Sequence, residues 1–537
     1  MEQRVSKVRA RMTRNREKQA IRTSASSMAN PVNSALQVLL VVLLWDTMLI
    51  LLAADAAIRL ELTPARLVAV ASDGFLFLAV LFAGALFLQI TKPAVLRRPS
   101  NILLLCTILV LALVLGEGVI LALERLQASP PVLPYLLPVV MASMLATLLL
   151  DSTCGLAAGL VSSAGFSLLL NNSLSPMVAG LLASLTVACL TPQARSRSRV
   201  FKAGVIAGLP AALCILADAA GRWATVSATG VAAQGLGVLA GGALSAAAAL
   251  LLLPPLERIF KVSSNMTLLE LSNLGHPLLQ RLAMEAPGTY HHSLMVAHLS
   301  EAAAEEIGAN TVLVRAGAYF HDIGKLVKPS FFAENIQMQS NPHDDLPPSM
   351  SALVIASHVK EGVSIALVHK LPWPVIDIIR EHHGTSLIAY FHHKAQTEIE
   401  REVRVTGGAV AHARVEESGF RYPGPRPGTR ESAVIILADA VEAASRCVEK
   451  PTPHRIEGLV DDIVTAKILD GQLDNAQLTF AELKAVKDSF AFSLANMLHG
   501  RIAYPKDENR NQQSTAAAPG GSSTTRVPGR VSDAASI

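Results

Sequence analysis

No histidine occurs before His276 in this chain of 537 residues, although the remainder holds 15. Imidazole is the commonest metal ligand and the side chain that changes charge near neutral pH. Its absence takes imidazole-ligated metal chemistry out of the first half. Cysteine is scarce as well. Four of the five (Cys106, Cys154, Cys189, Cys214) lie in apolar runs and Cys447 stands alone. That excludes a disulfide framework and a CxxC metal pattern. Charged residues make up only 16% against 51% hydrophobic, and the mean hydropathy is positive, a balance too apolar for an ordinary soluble enzyme.

What the first half does contain is long apolar runs. A bilayer span takes about 20 such residues, because the hydrocarbon is about 30 Å thick and a helix rises about 1.5 Å per residue. Eight segments qualify, near 36–54, 67–90, 101–123, 132–150, 153–170, 176–191, 201–219 and 230–254. The fifth and sixth are short and divided only by NNSLSP, so a re-entrant pair competes with two spans. The basic stretches RVSKVRARMTRNREK, Lys92 to Arg98 and Arg195 to Lys202 all fall on one side of an eight-span layout. Basic loops stay in the cytoplasm, so both termini are expected there. A cleaved signal peptide is the competing reading of the first run, helped by AADAA, but the basic lead is remote from it. Asp46, Asp73, Glu117 and Asp151 interrupt the runs; such groups can form relays, but helix packing or interfacial placement is the preferred reading.

From Pro254 onward the pattern changes. Met266, Leu268, Leu269, Leu271, Leu274, Leu278, Leu279 and Leu282 recur at helical spacing. They make a connector that packs, and without a strict heptad a dimer-forming coiled coil is the lesser alternative. From Gly288 to Pro505, runs of helical length alternate with Pro and Gly loops, and β-type alternation is rare. The fold class is therefore all-α: a polytopic helical membrane domain followed by a helical soluble one. Beyond Lys506 the polar, low-complexity stretch NQQSTAAAPGGSSTTRVPGR is expected to be disordered.

His321 and Asp322 in AYFHDIGKLVKPSFF supply an imidazole and a carboxylate side by side, and on a helix Lys325 would share their face. Taken alone the pair could merely cap a helix. Further groups recur in GTYHHS (His291, His292), SHVKEG (His358), REHHGT (His382, His383) and LADAVEA (Asp439). A shared dinuclear site is the better explanation of so many. Spacing does not choose between His291 and His292.

These stretches, PGTYHHS, FHDIGKLVKPSFFAEN, NPHDDLPPSMSALVIASHVKEG, REHHGTSLIAYFHHKA, FRYPGPRPG and ILADAVEAASR, stand in one order that resembles the seven-transmembrane HD-domain receptors of the PgpH type, membrane-bound cyclic di-AMP phosphodiesterases. The resemblance covers about residues 250–505 closely and the membrane region in layout. It implies two Mn or Fe ions held by His292, His321, Asp322, His358, His382, His383 and Asp439, with Asp322 shared and Lys325 facing the substrate. It implies cleavage of cyclic di-AMP to pApA, a lipid bilayer as surroundings, guanosine tetraphosphate as an inhibitor, and no nucleic acid polymer as partner. His298, His369, His392, His393 and His412 match no ligand motif and read as solvated or loop residues. Tyr290, Phe331, Phe332, Asn335 and Tyr390 suit a purine wall chemically, but each reads first as core.

The expected domains are 1–35, a basic cytoplasmic segment; 36–254, the membrane domain; 255–287, the connector; 288–505, the HD phosphohydrolase; and 506–537, the tail. The expected location is the inner (plasma) membrane of a bacterial cell with the HD domain inside. One departure stands out: AAIRLELTPARL alone joins the first two runs, where the family carries a large external domain. Hydrolysis of another nucleotide is the alternative activity, although the HHExxDGxGYP pattern of cyclic di-GMP enzymes is missing. An inert nucleotide-sensing HD domain is the alternative from a different class.

Overall fold

In the computed structural model, residues 31–58, 63–125, 137–170, 174–193, 196–221, 228–336, 341–405, 415–448 and 451–499 are described. The basic segment up to residue 30, the tail, the first three residues of the NNSLSP turn and His412 lie outside them. Among the described residues the chain is helical throughout, with one isolated bridge between Leu387 and Arg421.

Each expected apolar run is a helix: α1 Pro31–Ile58, α2 Pro64–Thr91, α3 Pro99–Arg125, α4 Leu137–Leu149, α5 Ser152–Leu169, α6 Leu174–Leu190, α7 Arg197–Gly221 and α8 Ala228–Phe260. They share one apolar core, from Leu44 to Leu256. α4 is described from Leu137, and residues 132–136 of its expected run lie outside the described residues. Small residues allow close approach between helices. A Cβ on Gly204 of α7 would lie 2.6 Å from the Gly242 carbonyl of α8. Asp151 caps α5, accepting from the Cys154 amide at 2.8 Å, and meets Lys92 at 3.1 Å, as its helix-end position predicts. Asp73 and Glu117 are buried and Asp46 is exposed.

The soluble half begins with α9 Asn265–Leu271 and α10 Pro277–Glu285, followed by α11 Pro287–Glu306 and α12 Thr311–Phe320. Then come α13 Pro348–Val368, α14 Trp373–Glu381, α15 Ala389–Val405, α16 Arg430–Ser445, α17 Pro453–Leu469 and α18 Phe480–His499. The connector is part of this core. Leu268, Leu278 and Leu279 are buried with Ala316, Phe320 and Ile323, next to the HD pair. At its upstream end Arg197 of α7 meets Glu270 of α9 at 3.0 Å.

Among the described residues, five helices are long and apolar enough to cross a membrane by length and composition, and four of them lie in the first half. The fifth is α13. It buries His358 and packs against α14 and α15; its apolar character is that of a core helix.

Candidate metal centre

The HD pair does not sit within a helix. Asn310 caps α12, its Oδ1 accepting from the Leu313 amide at 3.1 Å, and α12 ends at Phe320 with His321 as its C-cap. A single 3-10 turn, Ile323–Val327, follows Asp322. In such a turn residues i and i+3 eclipse, so Lys325 falls onto Asp322, Nζ to Oδ2 at 2.7 Å. The expected contact is made, by a different helix type. Gly324 sets how close this turn comes to α13: a Cβ there would meet the His358 carbonyl and lie 2.5 Å from the Gly362 amide. The glycine of HDIGK thereby brings Asp322 to His358.

Four elements deliver the remaining five groups: His292 from α11, His358 from α13, His382 and His383 from the end of α14, and Asp439 from α16. Two clusters form, Asp322 with His358, His382 and His383, and His292 with His321 and Asp439. Asp322 faces both. Its Oδ1 lies 3.3 Å from His358 Nε2 and 3.6 Å from His382 Nε2, while Oδ2 lies 3.2 Å from His321 Nε2 and 3.7 Å from His292 Nε2. Asp439 is also divided, with Oδ1 2.9 Å from His292 Nε2 and Oδ2 3.4 Å from His383 Nδ1.

Backbone hydrogen bonds set the tautomers. The Nδ1–H groups of His321, His358 and His382 donate to the carbonyls of Ala318, Ile355 and Ile379 at 2.7, 2.6 and 2.7 Å. In the neutral ring each Nε2 is then a lone pair aimed at the centre. His358 Nε2 and His382 Nε2 are 3.1 Å apart, two acceptors face to face. His321 Nε2 and Asp322 Oδ1 are buried without a hydrogen-bond partner. Buried acceptors brought together without donors are costly. A cation between them removes the cost, so imidazole and carboxylate donors here fit divalent metal ions.

The electrostatics agree. Burial pushes the His382 pKa down to about 4 and that of His383 well below its usual value, with His382 adding to the latter; neutral imidazole is the form a metal binds. Burial opposes charge on Asp322, but His321 and Lys325 outweigh it and hold its carboxyl well below the usual range. Asp439 is held low against burial by His292 and His383. His292 is the exception: burial works against its charge, yet hydrogen bonds with Asp439 and Glu442 bring its pKa up to about 9. Carboxylates that hold a proton there can hold a cation instead.

Around these groups lie residues that motif reading passed over. Glu442 Oε2 is 2.5 Å from His292 Nδ1. Glu334 Oε1 meets Lys325 Nζ at 2.7 Å and Thr289 Oγ1 at 3.0 Å. The Tyr422 ring lies over His383, centroids 4.2 Å apart and planes 30° from parallel. Glu442 follows Asp439 by three residues on a helix, a signal that was available; Glu334, in a short 3-10 turn, and Tyr422 stand inside the quoted stretches FHDIGKLVKPSFFAEN and FRYPGPRPG but were not singled out there. His291, His298, His369 and His393 are exposed, and His392 is half-buried near the Val415 carbonyl. Of the purine-wall residues, Phe332 is buried beside His358, Asn335 is bonded to Thr289, Tyr290 packs on the connector, Phe331 meets His343 edge to face and Tyr390 is exposed.

The fold and cluster define a class: an HD-type His–Asp site in a helical domain that follows an apolar helical bundle. Residues 67–264 match the family described as 7TM receptor with intracellular HD hydrolase, and residues 289–444 match the HD domain. The cyclic-di-AMP phosphodiesterase PgpH of Bacillus subtilis is 34% identical over 442 residues, 81% of this chain and 60% of that protein. PgpH of Listeria monocytogenes is 42% identical over 257 residues, 48% of this chain and 34% of its own length. The crystal structure of the L. monocytogenes PgpH HD domain in complex with cyclic-di-AMP is 44% identical, covering 43% of this chain and 100% of that one, with a TM-score of 0.38. The chain thus spans 60% and 34% of the two curated relatives. It belongs to the family of seven-transmembrane receptors with an intracellular HD hydrolase.

Proposed function

We propose that the protein is a membrane-bound phosphodiesterase that hydrolyses cyclic di-AMP to pApA, with the HD domain on the cytoplasmic side of the inner membrane. The observation that carries this reading is the pair of clusters facing opposite oxygens of Asp322, with His358 and His382 Nε2 face to face and with His321 Nε2 and Asp322 Oδ1 buried without a hydrogen-bond partner. His292, His321 and Asp439 would hold one divalent ion, His358, His382 and His383 the other, and Asp322 both. Mn and Fe suit this donor set. When bound, two such ions supply Lewis acidity to the phosphoryl oxygens and acidify the attacking water.

The protein's own groups do the rest. Asp322 spans the two clusters, and Lys325 holds it in place while Glu334 balances the charge. Lys325 has three N–H donors, two of them occupied by these carboxylates; the third is the group we assign to a non-bridging phosphoryl oxygen. Water adds to phosphorus, the bond from phosphorus to the ribose 3′ oxygen breaks, and that oxygen takes up the proton. Tyr422 braces the His383 ring from outside. The seven helices α2 to α8 coincide with the 67–264 match, which with α1 supports the eight-span layout and the domain division at the connector.

Turnover of cyclic di-AMP, cyclic di-GMP and pApA by metal-stripped protein, reloaded with Mn or Fe, tests the assignment. Cyclic di-AMP is expected to be cut to pApA only after reloading. Preference for another nucleotide would overturn the substrate, and turnover by fully stripped protein would overturn the metal site.

A further inference from the structure

We propose that Glu442 and Arg446 are positioning residues that fix and strengthen His292 as a ligand, an inference that rests on the metal reading of the site. Asp439, Glu442 and Arg446 follow one another at i, i+3 and i+7 from α16, so they share a face. His292 of α11 lies against that face between the two acids, with Nε2 2.9 Å from Asp439 Oδ1 and Nδ1 2.5 Å from Glu442 Oε2. The other Glu442 oxygen, Oε1, accepts from Arg446 Nε at 2.9 Å and Nη2 at 2.8 Å. Glu442 is buried, whereas Arg446 is half-exposed at the rim. The result is a chain, Asp439 to His292 to Glu442 to Arg446, that runs from the centre to the surface.

The chain sets His292 apart from its neighbours. His321, His358 and His382 are each oriented by a neutral carbonyl of their own backbone. His292 is oriented by a carboxylate 150 residues away. A charged acceptor on Nδ1–H makes the opposite nitrogen a stronger donor to a cation and fixes which nitrogen is free to bind. Arg446 keeps the carboxylate turned toward the ring and offsets its burial. The effect is local to one cluster, that of His292, His321 and Asp439.

The test is Mn²⁺ binding by the detergent-solubilised full chain after chelator stripping, read by equilibrium dialysis with metal analysis, alongside melting of the metal-free protein. Glu442→Ala is expected to weaken one of the two ions about 10- to 100-fold and leave the other at wild-type affinity. Glu442→Gln, which keeps an acceptor for Nδ1–H, should recover part of the loss. Arg446→Met should weaken the same ion less, and add nothing in the Glu442→Ala background because both act through one carboxylate. Should Glu442→Ala fail to fold, the Gln and Met variants carry the test, and wild-type affinity in both overturns the inference. Two ions bound at wild-type strength by a folded Glu442→Ala protein, or equal weakening of both, also overturn it. Wild-type protein that takes up no Mn²⁺ would overturn the metal reading and this inference with it.

Discussion

The two halves of the molecule are built from the same secondary structure, but several buried hydroxyls of the apolar half and the polar groups at the centre of the soluble half find their partners in different places. In the apolar half, Thr147, Ser162, Ser163 and Ser245 donate to carbonyls four residues back in their own helices, at 2.6 to 2.7 Å. In the soluble half, His292 finds its partners on another helix, 147 and 150 residues on, and Asp322 faces groups from α11, α13 and the end of α14. Polar groups satisfied within a helix leave its faces free for apolar neighbours. Groups that converge across helices, with lone pairs left over, make a site. The difference between scaffold and chemistry lies in where the hydrogen bonds go.

The strongest way to break this comparison is to remove the residue on which the soluble half converges. Asp322→Ala should lower cyclic di-AMP turnover by more than about 10³-fold, beyond the roughly 10²–10³ of losing a single transition-state donor, and should release both metals. Turnover by product chromatography together with metal analysis checks it. Near wild-type activity at full metal content would mean that Asp322 is not shared. His291→Ala, by contrast, should be silent, since His291 is exposed.

Legibility in the sequence followed the same division. The eight apolar helices were readable because a helix in an apolar half is specified by its own run of residues. The candidate ligands were readable because they sit in several short motifs whose order resembles a family. Glu334 and Tyr422 were not readable as site residues, because neither stands in a periodic run, and the role of each depends on which distant side chain it meets. α13 shows the converse hazard: it is apolar enough to pass for a span, and only the partners of His358 reveal a core helix that serves a site.

Close approach rather than ligation is tested by Gly324→Val. Its side chain would collide with the α13 backbone at His358 and Gly362. Overpacking of this kind costs about 1–3 kcal/mol, so the soluble half should melt lower and bind metal more weakly, while the apolar half is unaffected. Differential scanning fluorimetry with and without Mn²⁺ reads both. Unchanged melting would show that the turn can move off α13, and that the glycine does not set the Asp322 to His358 distance.

Separating the halves sharpens the comparison further. Residues 256–505 alone should fold, cut cyclic di-AMP and keep most of the full chain's activity. Guanosine tetraphosphate should inhibit both forms competitively, because a polyphosphate can compete at two cations and at Lys325. An inhibitor acting through the spans must discriminate two conformations, and its effect would vanish on truncation. Inhibition confined to the full chain would sink the metal-site route.

The smallest expected effect belongs to the link between the halves. Arg197 and Glu270 pair through two hydrogen bonds, at 3.0 and 3.2 Å, but their side chains are 62% and 52% exposed. Pairs so open to solvent contribute about 0–1 kcal/mol. The buried connector leucines against Phe320 and Ile323 are the stronger tie, since each buried aliphatic side chain contributes about 1.5–3 kcal/mol. Arg197→Ala should therefore leave melting nearly unchanged and turnover within about twofold. Turnover of the full-length variant, compared with the truncated protein that lacks Arg197, decides the role of the pair. A loss well beyond twofold, with melting unchanged, would mean that the bridge transmits between the halves rather than merely joining them.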